Sequence, residues 1–258
     1  MSPKNLDHNI GISNDSSVIL TVDALSKKLN RSSHGALLRL VGNMIFKTGR
    51  RRKNDFEVLE EVSFSLEKGD SLGIIGANGA GKSTLLKILA GAFLPTSGSI
   101  QWSCKNRVYL ERKIRLYNDL PILHNLKTLA ILHGINNDQQ KSFTRETLEL
   151  AELSEVANSP LSKLSSGMKM RLIMASYFWL EPDVILIDEA LEVGDARFRD
   201  IIREKMKSYL SNGGSAIIVS HQEQLIRRYC NKLLVLDKGR ILDFGETKDI
   251  LTQHNILR

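Results

Sequence analysis

Residues 76–84 read GANGAGKST, a loop of the pattern G-x-x-x-x-G-K-[ST]. Its glycines let the backbone curl until successive N–H groups face phosphate oxygens, with a helix N-terminus behind them. Gly76, Ala77, Asn78, Gly79, Ala80, Gly81, Lys82, Ser83 and Thr84 are therefore candidate nucleotide contacts. Lys82 is placed to reach the β- and γ-phosphates and the Ser83 hydroxyl to ligate Mg²⁺, so the substrate class is a nucleoside triphosphate. Residues 184–189 read VILIDE. Asp188 closes a hydrophobic run, where it can hold Mg²⁺ directly or through water. Glu189 is the natural general base for an attacking water, a role typically worth about 10²–10⁴ in rate. Two further motifs are LSSGM at residues 164–168 and VSH at residues 219–221. Serine hydroxyls and N–H groups at a helix start bind phosphate, which makes Ser165, Ser166 and Gly167 candidates as well.

The elements around these motifs follow from pattern. SLGII at residues 71–75 is a short apolar run entering the glycine loop, and residues 83–92 continue as a helix. Strand, loop and helix are the context a phosphate-binding loop requires. Pro95 and Gly98 mark a turn, and residues 100–110 read as extended structure. Residues 111–181 have helical spacing through much of their length, notably 144–153 and 168–180, as an inserted helical subdomain would. Residues 184–188 and 216–219 are apolar runs bounded by polar residues, the pattern of buried parallel strands. A helix over 198–210 stops at Asn212-Gly213-Gly214, and residues 233–244 form a hairpin around Asp237-Lys238-Gly239. Residues 18–22 and 56–66 read as strands of an antiparallel β-subdomain.

Composition bounds the rest. The 258 residues suffice for one sizeable core, and 42% hydrophobic with 25% charged content is ordinary for a globular chain. No window approaches the ~18 uninterrupted apolar residues of a membrane span. The polar start, residues 1–17, has no apolar h-region and reads as a flexible tail ahead of one nucleotide-binding domain at 18–258. Cys104 and Cys230 are too few for a disulfide framework and read as small buried hydrophobes. His8, His34, His124, His133 and His254 show no metal spacing. Net charge is +7, and part of the excess lies in Arg50, Arg51, Arg52 and Lys53. That run follows Leu37, Leu40, Val41, Met44 and Ile45, which fall on one helical face within an inserted segment at about residues 30–55. Such a helix can pack on its own domain with the charges solvated, or lie on a membrane or membrane partner with its charges at lipid phosphates. Nucleic-acid binding is the weakest reading, because no base-stacking aromatics interleave with the charges.

In their order along the chain, GANGAGKST, LSSGM, VILIDE and VSH resemble the motifs of the ATP-binding cassette (ABC) ATPases. The resemblance implies an α/β fold: a P-loop NTPase core with an antiparallel β-subdomain and an inserted helical subdomain. It implies ATP and Mg²⁺ as cofactors, His221 as a γ-phosphate contact, and a head-to-tail homodimer. In that dimer Ser165, Ser166 and Gly167 complete the site of the other copy, and Asp195 stands at the seam. SSGM followed by Arg171 and Leu172, and DEALEVGDARF at residues 188–198, are similar to one subfamily, the ATPase subunits of exporters for O-antigen, capsule and teichoic acid. The likeness spans about residues 18–251. It implies transmembrane permease subunits as partners, polysaccharide cargo handled by the permease, no nucleic acid, and a peripheral place on the cytoplasmic face of the cell membrane.

The chain departs from the family pattern at two places in the site. Glu111 stands where most cassettes carry a glutamine near the metal, and a carboxylate can also ligate Mg²⁺. Where an aromatic usually stacks on adenine, Leu29 is the nearest residue. A carbohydrate-binding domain that some members append has no counterpart before Arg258, so polymer recognition is expected from the permease or the inserted segment. The alternatives are a transporter ATPase for another cargo and a soluble cassette in translation or DNA repair. Such translation factors carry two cassettes, such repair ATPases long coiled coils, and LSSGM with His221 excludes a lone P-loop kinase.

Overall fold

The computed structural model describes residues 17–30, 55–111, 116–189 and 196–254. The inserted segment, except at its ends, and the N-terminal tail, except Ser17, lie outside them. The centre is a six-stranded sheet in the order β5-β6-β7-β3-β8-β9. Its strands are β3 (Ser71–Ile75), β5 (Arg107–Glu111), β6 (Val184–Asp188), β7 (Ser215–Val219), β8 (Lys232–Asp237) and β9 (Arg240–Glu246). The first five run parallel and β9 returns antiparallel.

Strand alternation sorts the apolar residues to two faces. Ile185, Ile187, Ala216, Ile218, Leu233 and Val235 go to one cluster, and Val184, Leu186, Ile217, Val219, Leu234 and Leu236 to the other. Both faces are covered, which is why these runs read as continuous hydrophobics. One face packs against α4 (Ser166–Trp179), α5 (Ala196–Ser211), α6 (Glu223–Tyr229) and α7 (Thr247–His254) through Met174, Phe198, Met206, Ile226 and Leu251. The other packs against α1 (Lys82–Leu89) and a three-stranded antiparallel sheet of β1 (Val18–Asn30), β2 (Asp55–Glu67) and β4 (Ser97–Trp102), in the order β2-β1-β4.

Between β5 and β6 the described regular elements are helical. α2 (Ile122–Leu132) and α3 (Gln140–Ala151) bury Leu126, Leu129 and Phe143 in a cluster of their own, joined by Leu172 and Ala175 of α4. α4 therefore serves two cores at once, since Met170, Ile173 and Met174 face the main sheet.

The extended structure expected over residues 100–110 divides between two sheets: Ser97–Trp102 pairs with β1, whereas Arg107–Glu111 joins the central sheet beside β6. The chain changes sheets at Ser103–Asn106, where Asn106 N–H bonds the Asp183 carboxylate at 3.1 Å. β1 also runs on to Asn30, well past the expected end at Val22, because β2 pairs with it across that length.

Candidate functional site

The motif residues meet where the parallel strands end. β3 delivers the chain into the loop at Gly76, and α1 begins at Lys82 with Gly81 as its N-cap. Gly76, Gly79 and Gly81 have φ of 150°, 82° and 107°, the region glycine enters without strain. At Gly81 the space is filled as well: a Cβ there would lie 2.7 Å from the Val58 carbonyl oxygen and 2.8 Å from Leu59 Cδ2. The loop is also tied to the β8–β9 turn. Gly239 N–H donates to Ala80 O at 3.0 Å, and Glu60 N–H donates to Gly239 O at 2.8 Å.

Lys82 is buried, 6% exposed, and its Nζ donates to the carbonyls of Gly76 at 2.7 Å and Ala77 at 3.0 Å. Burial lowers its pKa below the usual 10.5, with Glu189 and Asp188 pulling the other way. The ammonium thus reaches back over its own loop to the carbonyls at its start. Ser83 is exposed on the next position, and its Oγ donates to Asp188 Oδ1 at 3.2 Å. A hydroxyl and a carboxylate side by side are the hard oxygen pair that Mg²⁺ takes from protein, with phosphates and water supplying the rest.

Asp188 ends β6 in register with Val219, the last residue of β7. The backbone of Glu111 ends β5 in register with Asp188 from the other side. Glu189 turns out of the strand at φ 53°, its N–H held by Val219 O at 3.1 Å. That turn brings its carboxylate to the residue following β7 and Ser220: His221 Nε2 lies 3.0 Å from Glu189 Oε1. Both side chains remain partly open to solvent, at 38% for Glu189 and 48% for His221.

Ser165, Ser166 and Gly167 stand elsewhere, at the start of α4 on the helical layer. Ser165 is the N-cap, accepting from Met168 N–H at 3.2 Å, and Ser165 and Ser166 are exposed. Thus the structure brings together Lys82, Ser83, Asp188, Glu189 and His221, and exposes the second serine group at the start of α4. Asp195 lies outside the described residues.

One residue escaped the motif reading. No aromatic precedes Leu29 along β1, but Phe56 of β2 is its direct strand partner and is 47% exposed. Two residues further on, Val58 touches the phosphate loop at Gly81, so Phe56 stands one pleat away from it. The signal was the register of β2 on β1, which the motif spacing does not carry.

Comparison with known proteins fits this geometry. Residues 59–192 match the model of a family described as ABC transporter. The capsule polysaccharide export ATP-binding protein CtrD of Neisseria meningitidis is 34% identical over 200 residues, covering 78% of this chain and 91% of that protein. A teichoic acids export ATP-binding protein, TagH of Staphylococcus saprophyticus, is 32% identical over 203 residues, 79% of this chain and 76% of that protein. The protein of the same description from Lactococcus lactis is 29% identical over 93% of this chain, which spans only about half, 51%, of its length. Among solved structures, an ATP binding subunit of an ABC transporter superposes with a TM-score of 0.72 at 25% identity, covering 92% of this chain and 94% of that one. A dimeric cassette with bound ADP and Pi shares the fold with a TM-score of 0.70 at 18% identity.

Proposed function

The chain belongs to the ABC transporter family, and from that premise we propose that it is the ATP-hydrolysing subunit of an exporter for a polysaccharide, lipid-linked as it crosses the membrane. The observation that carries the enzymatic half is the convergence of Lys82, Ser83, Asp188, Glu189 and His221 at the ends of β3, β6 and β7. The cargo rests on relatives named for capsule and teichoic acid export.

The roles follow from chemistry. The amides of residues 76–84 and the Lys82 ammonium hold the β- and γ-phosphates, Lys82 exchanging its loop carbonyls for phosphate oxygens. Ser83 and Asp188 would hold Mg²⁺, with Glu111 as a further candidate, and the ion would supply positive charge to the phosphates. Glu189 accepts a proton from the attacking water. His221 donates to the γ-phosphate once its contact with Glu189 gives way to substrate. Phe56 offers its ring to the adenine.

The exposed serines at the start of α4 offer hydroxyls and a helix N-terminus to an anion. A second copy, packed head to tail, brings one: Ser165, Ser166 and Gly167 then close the partner's γ-phosphate, with Asp195 at the seam. Two such subunits drive two permease subunits from the cytoplasmic face of the cell membrane. Among the described residues no helix is long and apolar enough to cross a membrane. The permease handles the polymer; the segment at about residues 30–55, with its basic run, is a candidate for the lipid-phosphate end.

The test is complementation. Deleting the gene should abolish surface polysaccharide and leave polymer inside the cell. The wild-type chain should restore export, and Glu189→Gln should not. Surface polymer at normal levels in the deletion strain overturns the cargo assignment, while ATPase activity of the purified protein checks the enzymatic half independently.

A further inference from the structure

A cleft of about 740 Å³ opens at the edge of the central sheet opposite the phosphate loop. Its walls hold Lys68, Lys105, Asp183 and Gly214, which stand just before β3, β5, β6 and β7. The nucleotide residues Gly76, Glu189 and His221 come after β3, β6 and β7, so the parallel strands hold the two places apart. Three lysines from three elements converge on the cleft: Lys68 from the β2–β3 turn, Lys105 from the link between β4 and β5, and Lys205 from α5. Among the described residues none of these ammonium groups is held in an ion pair. Hydrogen bonds fix the backbone on which they are mounted. Gly69, next to Lys68, donates its N–H to Ser215 Oγ at 2.8 Å. Asn106, next to Lys105, donates its N–H to Asp183 Oδ2 at 3.1 Å. Tyr209 stands one helical turn after Lys205, and its hydroxyl donates to Ser215 O at 2.8 Å. A Cβ at Gly214 would lie 2.4 Å from the Tyr209 ring, so the ring packs on bare backbone there. Tyr209 and Phe178 of α4, both packed against the main core, give the cleft an aromatic wall beside its cations. Asp183 and Glu181 add two carboxylates to the same cleft.

We propose that this cleft binds a small phosphorylated sugar, at a place separate from the site of ATP hydrolysis. Lysine ammonium groups hold phosphate as point charges, and three are at hand. Sugar hydroxyls donate to carboxylates, the part open to Asp183 and Glu181. The apolar face of a sugar ring packs on aromatic side chains, here Tyr209 and Phe178. A bare anion would use the lysines alone and meet the two carboxylates as repulsion, which favours a ligand that carries hydroxyls beside its phosphate. The volume lies within the range of about 300–1,000 Å³ common for small-molecule sites. Because the backbone under each lysine is already fixed, binding has only side chains to order.

The experiment uses the full chain with its phosphate loop filled beforehand by ADP and Mg²⁺. Calorimetric titrations compare glucose 1-phosphate, glucose and inorganic phosphate. Glucose 1-phosphate should bind about tenfold more tightly than phosphate, as one or two further hydrogen bonds allow. Lys105→Gln and Lys205→Gln should each weaken it roughly tenfold, the loss expected for one hydrogen bond to a charged group. ATPase activity and melting temperature should stay at wild type in both. Asp183→Asn keeps an oxygen for the Asn106 N–H and should shrink the preference over phosphate. Cys104 also lines the cleft, whereas Cys230 is buried in the main core, so maleimide labelling locates the ligand. Saturating glucose 1-phosphate should slow labelling of Cys104 in the wild type and do so less in Lys105→Gln. The proposal is overturned if glucose 1-phosphate does not bind, if it binds without protecting Cys104, or if phosphate alone binds as tightly. Unchanged affinity in both lysine variants overturns it as well.

Discussion

His221 and Glu189 face each other at 3.0 Å across the ends of two adjacent parallel strands. In the proposed mechanism Glu189 is the general base for the attacking water, so its carboxylate can be tested apart from its bulk. Glu189→Gln keeps the volume and a hydrogen-bonding oxygen but removes the proton acceptor. Steady-state hydrolysis should fall by about 10²-fold or more, the range of general-base catalysis. ATP binding should survive, and light scattering should show a dimer trapped by ATP. A variant that stays monomeric with excess ATP, or that turns over like wild type, removes Glu189 from the role.

The placement of Ser165 on a separate helix predicts complementation between defective copies. Ser165→Arg and Lys82→Ala should each be inactive alone. Mixed, they form heterodimers in which one composite site carries both lesions and the other carries none. ATPase assays of the mixture should therefore show recovered activity. A mixture as inactive as its parents contradicts sites shared between copies.

Lys82 predicts two opposite pH trends from one ammonium. Its pKa is lowered in the fold by burial, so the unfolded chain holds the proton to higher pH. The empty protein should gain stability as pH rises through the lowered value towards 10.5, and lose that contribution as pH falls back through it. ATP affinity, which needs the charged form, should instead fall over the same range. Urea unfolding and nucleotide titration, each compared with Lys82→Met, read the two trends. A Lys82→Met protein with the same pH profile as wild type in both assays refutes the account.

Gly81 and Gly79 separate backbone strain from packing. A side chain at Gly79 meets nothing within 4 Å, whereas one at Gly81 collides with Val58 O and Leu59. Gly79→Ala should cost only the positive φ, on the order of 1 kcal/mol. Gly81→Ala should cost roughly 1–3 kcal/mol more and abolish ATP binding, because overpacking displaces the loop as well as straining it. Thermal melts and nucleotide titrations check both, and equal losses for the two variants would refute the packing argument.

What could be read in the sequence was whatever is local. The loop at residues 76–84, the strand end at Asp188 and Glu189, and the strands at 184–188 and 216–219 are each set by neighbours a few residues away. What escaped depends on pairing. Phe56 faces Leu29 only because β2 lies on β1 in that register. Residues 97–111 divide between two sheets because Ser97–Trp102 and Arg107–Glu111 find different partners, and their composition does not distinguish those partners. Lys68, Lys105 and Lys205 read as separate surface charges until β3 and β5 enter one sheet and α5 packs on it.

The tie between Gly239 and Ala80 orders events during synthesis. Gly76 and Ala80 emerge from the ribosome long before the strands that flank β3, since β7 and β8 begin at Ser215 and Lys232. Until β7 and β8 are made, β3 has neither of its sheet neighbours, and until the β8–β9 turn follows, Ala80 O has no Gly239 N–H to accept. The nascent chain therefore carries its whole phosphate-binding sequence before the contacts that hold the loop in the fold can form, and a fragment ending before residue 239 lacks the tie between Gly239 and Ala80.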